Sequence, residues 1–352
     1  MAKTVLIVDD SALVRKQLSD IISTLDFEID TAKNGQEAID KATSFQYDVI
    51  TMDINMPVVD GIEALRQIMK KQPTPVLMVS SLTRDDASIT MQALDLGAID
   101  YILKPGTFNA GKTRNKDEIV EKVKSLSNIS PRRLKRKLLG SVKKVHEQRE
   151  KPKPEQILSS KDITKVVLIG SSTGGPGLIE EICASLPLDY KYPVCIVQHM
   201  PEQFTKAFVD RLNRSSTLNV HESAKNMELL PGNIYIARGG VHMNFAKKVS
   251  GTIVIRENEN KGSNFFQPSV NEMMLSALEL FDAKNLIGVL LTGIGDDGAD
   301  GMVELKKAGA YTIAENEESA TVYGMPREAY ERGGVVEQLD FKHILKTIVA
   351  LK

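Results

Sequence analysis

The chain has 352 residues, which is too long for one ordinary hydrophobic core, so we expect two domains. Its formal net charge of −1 excludes a general attraction to nucleic acid or to an anionic membrane, and no apolar stretch reaches the length that spans a bilayer, so we expect no membrane insertion. The two cysteines, Cys183 and Cys195, do not form a C-x-x-C pair, which predicts reduced thiols, no zinc site and a cytoplasmic protein.

Residues 1–127 are predicted to form the first domain, because five short apolar runs alternate there with helical patterns. Five strand–helix units of this kind predict an α/β domain with a doubly wound, five-stranded parallel sheet, whose site lies at the carboxyl ends of the strands. The predicted strands are Val5–Val8, Phe27–Thr31, Val49–Met52, Val76–Val79 and Tyr101–Leu103.

Polar residues follow four of these strands, at the edge where the carboxyl ends should meet. Asp9 and Asp10 follow the first strand, Asp53 the third, Ser80 the fourth and Lys104 the fifth. Converging carboxylates repel one another unless a hard divalent cation lies among them, and Mg²⁺ takes oxygen ligands of this kind. A lysine at the same edge can pair with a phosphoryl group. The set therefore predicts a carboxylate that accepts a phosphoryl group beside Mg²⁺.

These motifs resemble the receiver domains of two-component response regulators. The resemblance implies a flavodoxin-like fold and phosphorylation of Asp53 by a histidine kinase of the chemotaxis system. It also implies Mg²⁺ held by Asp10, Asp53 and the backbone carbonyl of Asn55, with Asp9 assisting. Ser80, Tyr101 and Lys104 would then respond to the phosphoryl group. The segments that carry the resemblance are Asp9-Asp10, Asp53-Ile54-Asn55-Met56-Pro57, Asp60-Gly61, Ser80 and Lys104-Pro105.

Residues 128–162 are predicted to be a basic linker rich in lysine, arginine and proline. A helix is expected at residues 134–149, because Leu134, Leu138 and Val142 lie four apart. No aromatic residue interrupts the basic run and no helix-turn-helix pattern accompanies it, so we expect a solvated connector and no nucleic-acid binding.

Residues 163–352 are predicted to form a second α/β domain around one sharp turn. The run Val166–Ile169 is typical of a strand buried on both faces, and Pro176 is well placed near the start of a helix. The turn between them, residues 170–175, matches G-x-S-x-G with Ser172 at its centre. It does not match the G-x-G-x-x-G of a dinucleotide loop, because Ser172 stands at the middle glycine, and it lacks the lysine of a P-loop. A nucleophilic serine is therefore favoured, with a purely structural turn as the alternative until a base and an acid are found.

Further apolar runs predict a mostly parallel sheet with an antiparallel hairpin extension. We interpret the three runs between residues 234 and 256 as a meander. The predicted strands are Val194–Gln198, Ile234–Ala237, Val241–Phe245, Thr252–Arg256, Leu286–Leu291 and Tyr311–Ala314.

His199 is the best-placed base of the five histidines, because it directly follows a predicted strand. The others lie in the linker, on a late helix face, or within or beside strands, where a structural histidine is commoner: His146, His343, His221 and His242. Asp296 and Asp297 both follow the strand that ends at Leu291, and their spacing does not choose between them. These residues predict Ser172 as nucleophile, His199 as base and one aspartate that fixes the imidazole tautomer.

The order serine, histidine, aspartate along the chain differs from that of α/β-hydrolases, which argues against that fold. The motifs resemble the CheB methylesterase family instead. Six segments carry this resemblance: Ile169–Gly175, Gln198–Pro201, Pro231-Gly232, Ile234–Ala237, Leu291–Gly298 and Tyr323–Pro326. It implies catalytic Ser172, His199 and Asp297, and so selects Asp297 of the two acids.

The same resemblance implies hydrolysis of glutamate γ-methyl esters on methyl-accepting chemotaxis receptors, with release of methanol. Deamidation of receptor glutamines by the same serine, and a hydrolytic step that needs no cofactor, are also implied. Backbone amides, including those of the turn at residues 293–295, are expected to hold the oxyanion. We further expect the unphosphorylated receiver to block access to the Ser172 turn.

Three single positions and one short stretch depart from the family pattern. Ser171 stands where alanine is common, Ile294 where methionine is common and Arg238 where proline is usual, while residues 266–271 replace a stretch that usually carries His-Arg and Asp around the same Pro-Ser-Val. The changed stretch at residues 266–271 keeps open a hydrolase of the same mechanism that acts on another ester or amide. A docking protein with an inactive serine turn is a second alternative, and the intact triad argues against it. A DNA-binding regulator is disfavoured, because a reading helix is missing.

Overall fold

The structure, a computed structural model, describes residues 2–81, 83–105, 112–129, 134, 159–260 and 266–351. The chain divides into two compact units, Met1–Val145 and His146–Lys352. The boundaries predicted from the sequence, 1–127, 128–162 and 163–352, stay a prediction. Apart from Leu134, the helix expected at 134–149 lies outside the described residues.

The first unit is a five-stranded parallel sheet flanked by helices, with strand order β2-β1-β3-β4-β5. This is the flavodoxin-like order, so the predicted doubly wound sheet is confirmed. Its elements are β1 (Lys3–Val8), α1 (Ala12–Ile22), β2 (Phe27–Ala32), α2 (Gly35–Ser44), β3 (Val49–Asp53), α3 (Gly61–Lys71), β4 (Val76–Ser80), α4 (Arg84–Asp95), β5 (Asp100–Leu103) and α5 (Lys112–Leu126).

Local sequence explains where these helices begin. Ser11, Asn34, Asp60 and Thr83 each precede a helix, and each side-chain oxygen accepts a hydrogen bond from an amide of the first turn. The central strands β3 and β4 are buried along their whole length, as their unbroken apolar runs predict. The strand ends therefore deliver their polar residues to one edge of the sheet.

The second unit contains a seven-stranded parallel sheet of order β14-β13-β12-β6-β7-β9-β8 and a separate antiparallel pair, β10 and β11. Its strands are β6 (Val166–Ser171), β7 (Val194–Gln198), β8 (Asn219–Glu222), β9 (Asn233–Ile236), β10 (His242–Lys247), β11 (Ile253–Asn258), β12 (Leu286–Leu290), β13 (Tyr311–Glu315) and β14 (Glu337–Leu339). Its helices are α6 (Gly175–Ser185), α7 (Glu202–Ser215), α8 (Val270–Leu278), α9 (Ala299–Lys307), α10 (Met325–Glu331) and α11 (Phe341–Val349), with short 3-10 turns at Ser160–Asp162 and Ala283–Asn285. The prediction of a parallel sheet with an antiparallel hairpin is confirmed.

The predicted meander is wrong at its first strand. β9 pairs in parallel with β7 and β8, whereas β10 pairs antiparallel with β11. The chain turns away from the sheet at Gly239-Gly240, where a Cβ on Gly239 would lie 2.3 Å from the amide nitrogen of Glu202 and where Gly240 has φ of +84°. This close approach allows β10 to leave the sheet that β9 has just joined.

Helix α8 packs between the main sheet and the hairpin. Val270, Met273 and Met274 on this helix are buried in one hydrophobic cluster with residues of β6, β10 and β12. A Cβ on Gly170, in β6, would lie 2.4 Å from Cγ1 of Val270, so the glycine permits the first turn of α8 to approach the strand closely. This contact fixes the amino end of α8 beside the Ser172 turn. Within the described ranges, no helix combines the length and the apolar character that crossing a membrane requires.

Candidate active site

Ser172 lies directly after β6, in the turn that leads to α6. Parallel pairing places Ser171 opposite Gln198, so the next residues, Ser172 and His199, leave adjacent strands at the same edge. The amide of Gly175 donates to the Ser172 carbonyl at 2.9 Å, and Gly174 has φ of +80°, which a residue with a side chain rarely adopts. The turn is therefore tight, and Ser172 itself is only 5 % exposed.

The Gln198 side chain stabilises the Ser172 turn with two hydrogen bonds, a role that the sequence did not predict. The Ser171 hydroxyl donates to Oε1 of Gln198 at 2.7 Å, and Nε2 of Gln198 donates to the Ser172 carbonyl at 2.9 Å. Ser171, Ser172 and Gln198 are all buried. Ser171, which stands where the family commonly has alanine, thus adds a hydrogen bond to the support of the turn.

His199 and Asp297 form a close pair at this edge. Nε2 of His199 lies 2.8 Å from Oδ2 of Asp297, and the His199 amide donates to the Ser171 carbonyl at 3.1 Å. The His199 side chain is 5 % exposed, and its Nδ1 has no hydrogen-bond partner among the described residues. Nδ1 is therefore the ring atom that remains for a proton acceptor role.

Asp297 is held by the amino end of α8. Its carboxylate accepts from the Ser269 hydroxyl at 2.8 Å and from the amides of Val270 and Asn271 at 2.7 and 3.0 Å. Burial alone raises the pKa of Asp297, but the hydrogen bond and charge of His199, together with these two amides, outweigh burial and hold the pKa below its ordinary value. The aspartate is thus kept ionised and fixed in direction.

Asp296 points elsewhere. Its Oδ2 lies 2.6 Å from the guanidinium of Arg332, and its side chain is 62 % exposed. Of the two adjacent acids, the structure brings Asp297 to the imidazole and leaves Asp296 in a surface ion pair.

The loop after β12 packs against the Ser172 turn. The Thr292 hydroxyl donates to the Thr173 carbonyl at 2.8 Å, and the Thr292 amide donates to the buried carboxylate of Glu315 at 2.9 Å. A Cβ on Gly293 would lie 3.0 Å from Cβ of Ser172, so this glycine lies directly beside the serine. The Gly293 amide donates to the Val322 carbonyl at 3.1 Å, so it does not serve the expected oxyanion site while that bond persists.

Two positions that depart from the family pattern lie around this site. The ring of Phe266 stacks on the ring of His199, with centroids 3.9 Å apart and planes 11° apart. The guanidinium of Arg238 lies 3.1 Å from Glu257 and 3.2 Å from Glu202. Arg238 therefore joins β11 to the start of α7, the helix that follows His199.

The remaining histidines have other surroundings. Nδ1 of His242 accepts a hydrogen bond from the Ser269 amide at 3.1 Å, and the ring is fully buried. His242 therefore contacts the same serine whose hydroxyl binds Asp297. Nε2 of His221 lies 3.0 Å from Oδ1 of Asn233. The exposed His343 lies beside Asp340, and His146 lies outside the described residues.

The first unit carries a separate acidic site. Ligand atoms of Asp9, Asp10 and Asp53 all lie within 4.8 Å of one another, and Nζ of Lys104 lies 2.9 Å from Asp53 and 3.2 Å from Asp9. Burial, and next the charge of Asp9, raise the pKa of Asp53 to about 6 in spite of Lys104. Such a cluster gains from additional positive charge, and its oxygen donors fit Mg²⁺.

The expected switch residues lie near this edge. The Ser80 hydroxyl, at the end of β4, donates to the Ser81 carbonyl at 3.1 Å and accepts from Thr90 at the same distance. Tyr101 is buried, and Nζ of Lys122 donates to its carbonyl at 2.8 Å. The side chain of Asn55 donates to Asp86 at 3.0 Å, and the metal-binding role of its backbone carbonyl stays a prediction.

Comparison with known proteins finds one family for each unit, and each family matches part of its unit. The CheB methylesterase family matches residues 167–348, and the response regulator receiver domain family matches residues 5–115. A relative named protein-glutamate methylesterase/protein-glutamine glutaminase, from Caldanaerobacter subterraneus, is 46% identical over 94% of this chain and 91% of its own length. A second relative of that name, numbered 2, from Carboxydothermus hydrogenoformans, is 44% identical over 99% of this chain and 98% of its own. The crystal structure of the Thermotoga maritima CheB methylesterase catalytic domain is 35% identical, with a TM-score of 0.51, and covers 53% of this chain and 98% of that one.

Proposed function

This chain belongs to the CheB methylesterase family, and we propose that it is a phosphorylation-activated enzyme that hydrolyses glutamate γ-methyl esters on methyl-accepting chemotaxis receptors. The observation that carries the proposal is the His199–Asp297 pair, 2.8 Å apart, at the sheet edge where Ser172 follows β6. The second half of the relatives' name supports deamidation of receptor glutamines by the same residues.

In the proposed mechanism, Oγ of Ser172 attacks the ester carbonyl while Nδ1 of His199 takes the hydroxyl proton. Asp297 accepts the hydrogen bond from Nε2, fixes the tautomer and balances the charge of the imidazolium that forms. Backbone amides hold the tetrahedral oxyanion, with those of Ile294 and Gly295 as our candidates. The carbon–oxygen bond to the methoxy group then breaks, and His199 gives its proton to the departing oxygen, so that methanol leaves.

The product of this first half is an ester between the receptor glutamate and Ser172. A water molecule takes the place of methanol, gives its proton to His199 and attacks the acyl carbon. The bond to Oγ then breaks, His199 returns the proton to Oγ of Ser172, and the glutamic acid departs and loses its proton to solvent as the carboxylate. For a glutamine substrate the same steps release ammonia. The groups named here complete the hydrolysis, and we propose that it takes no cofactor.

The receiver supplies the control in this proposal. A chemotaxis histidine kinase is the proposed phosphodonor, and Asp53 accepts the phosphoryl group. Asp10, Asp53 and the Asn55 carbonyl, with Asp9 assisting, would hold Mg²⁺, which would neutralise part of the phosphoryl charge. Lys104 pairs with the phosphoryl oxygens, and Ser80 and Tyr101 adjust to them. The unphosphorylated receiver restrains the hydrolase, and phosphorylation relieves the restraint.

A receptor cytoplasmic fragment with known methylation sites tests the proposal. After incubation with the full chain and a small phosphodonor, mass spectrometry of its peptides should show methyl-glutamate converted to glutamate. The Ser172→Ala variant should leave the peptides unchanged. Equal conversion by wild type and Ser172→Ala would refute the proposed nucleophile. No conversion by a folded, phosphorylated wild type would favour a docking function or another ester.

A further inference from the structure

Phe266 covers one face of the proposed base. Its ring lies almost parallel to the imidazole of His199, with centroids 3.9 Å apart and an interplanar angle of 11°. A Cβ on Gly295 would lie 3.9 Å from Cε2 of Phe266, so the phenyl ring also reaches the loop that lies beside Ser172. The phenyl ring thus contacts the base and approaches the loop after β12.

The backbone around Phe266 is anchored. The carbonyl of the next residue, Gln267, accepts from the Gly240 amide at 3.1 Å, and its side-chain amide donates to the Glu259 carbonyl at 3.0 Å. Two residues further on, Ser269 binds Asp297. The phenyl ring is therefore held to the same frame as the acid that orients His199.

The chemistry of the base places the leaving group next to this ring. Nε2 of His199 is taken by Asp297, so Nδ1 must return the proton to the leaving atom, which has to lie about 3 Å from Nδ1 and near the imidazole plane. Whatever the leaving atom carries lies one bond further out. The phenyl ring covers one face of the imidazole at van der Waals distance, so a group that extends from the leaving atom toward that face meets the phenyl ring.

The two substrate classes differ in what they present there. A methyl ester carries a methyl group, which gains from contact with an apolar ring. A carboxamide carries N–H donors, which lose hydrogen bonds to water and gain only a weak contact from the phenyl face. A histidine at this position would offer a ring nitrogen that can accept such a hydrogen bond.

We propose that Phe266 determines specificity by favouring methyl esters over carboxamides in the reaction at Ser172, an inference that rests on the function proposed above. The aromatic stack has a second effect: it fixes the plane of His199 in the same position for both substrates. Only the apolar phenyl surface that faces the leaving group discriminates between ester and amide.

The test compares two receptor fragments that differ at one position, which holds either glutamate γ-methyl ester or glutamine. Both are given to the full chain with Mg²⁺ and a saturating small phosphodonor, and kcat/KM is measured for methanol and for ammonia release. The variants are Phe266→His, which restores a polar ring, and Phe266→Leu, which keeps an apolar wall without the stack. Phe45→His makes the same exchange at a half-exposed position of the first unit and is the matched control.

We expect Phe266→His to lower the ester-to-amide ratio of kcat/KM by about tenfold, the scale of one hydrogen bond gained by the amide. Phe266→Leu should slow both reactions and leave the ratio within about twofold of wild type, and Phe45→His should change neither. A ratio unaltered in Phe266→His, or altered equally in Phe266→Leu, would overturn the inference. A wild type that releases neither product would overturn the proposed function, and this inference with it.

Discussion

Replacing Asp297 with asparagine should lower both the stability and the activity of the protein, and the contacts of the carboxylate indicate the size of each loss. The carboxylate accepts four hydrogen bonds, two on each oxygen, and each oxygen accepts one from a backbone amide, that of Val270 or that of Asn271. An asparagine has one carbonyl oxygen, so in either orientation its NH₂ group faces a backbone N–H. Losing charged hydrogen bonds in a buried place should lower the free energy of unfolding by about 2–4 kcal/mol.

Activity should fall much further than stability. If the NH₂ group faces His199, the imidazole must present an unprotonated Nε2 and carry its proton on Nδ1, where it no longer accepts the serine proton. A base held in the wrong tautomer lowers kcat by about 10⁴-fold in serine hydrolases. The adjacent Asp296→Asn is the matched control, because it breaks only an exposed ion pair with Arg332, which is worth at most about 1 kcal/mol.

The assay measures methanol release with the receiver phosphorylated, and denaturant unfolding gives the free energy for each variant. We expect Asp297→Asn to be nearly inactive at a temperature where it remains folded, and Asp296→Asn to match wild type. Retention of more than a tenth of the wild-type kcat by folded Asp297→Asn would refute the reasoning, and so would an equal loss in the control.

Two further predictions concern stability. Burial lowers the pKa of His242, so the folded state favours the neutral ring, which accepts a hydrogen bond from the Ser269 amide. The resulting stabilisation of the folded state is complete above pH 6.5, the ordinary pKa of histidine, and is lost as the pH falls below that value. His242→Gln keeps a hydrogen-bond acceptor but does not titrate, so its loss of thermal stability between pH 8 and pH 5.5 should be smaller than that of wild type. An equal loss would contradict the role given to the neutral His242 ring. A Cβ at Gly61 would lie 1.9 Å from the Asp53 carbonyl oxygen, so Gly61→Ala should lower the free energy of unfolding by about 1–3 kcal/mol and impair phosphorylation. Gly177→Ala, in α6 with nothing within 4 Å, should raise the free energy by about 0.5–1 kcal/mol, and the same sign for both alanines in denaturant unfolding would count against the packing argument.

The sequence predicted the parallel sheets well because their strands are buried on both faces. Runs such as Val166–Ile169 leave little choice of structure, and polar residues that follow such runs must meet at one edge of the sheet. This logic alone placed Ser172 near His199 and Asp53 near Lys104, in agreement with the β6–β7 pairing and with the ion pair between Lys104 and Asp53. It required no knowledge of side-chain directions.

What the sequence left open depends on directions and on long-range contacts. Asp296 and Asp297 are neighbours in the chain, and only the amino end of α8 and the position of Arg332 distinguish them. The supporting bonds of Gln198 and Glu315 leave no periodic signal, because each joins a side chain to a distant backbone group.

Short edge strands and ring contacts were missed for similar reasons. β8 and β14 have four and three residues and contain polar side chains, so their apolar signal is weak. The stacking of Phe266 on His199 joins residues far apart in the chain, and the sequence marked Phe266 only as a departure from the family pattern.

The measurement that tests the central proposal most directly is methanol release from a methylated receptor fragment by wild type, Ser172→Ala and Asp53→Ala, each with and without a small phosphodonor and Mg²⁺. We expect release by wild type to rise when the phosphodonor and Mg²⁺ are both present, release by Asp53→Ala to stay at the unstimulated rate, and release by Ser172→Ala to be absent. Stimulation that persists in Asp53→Ala, or release that persists in Ser172→Ala, would contradict the account.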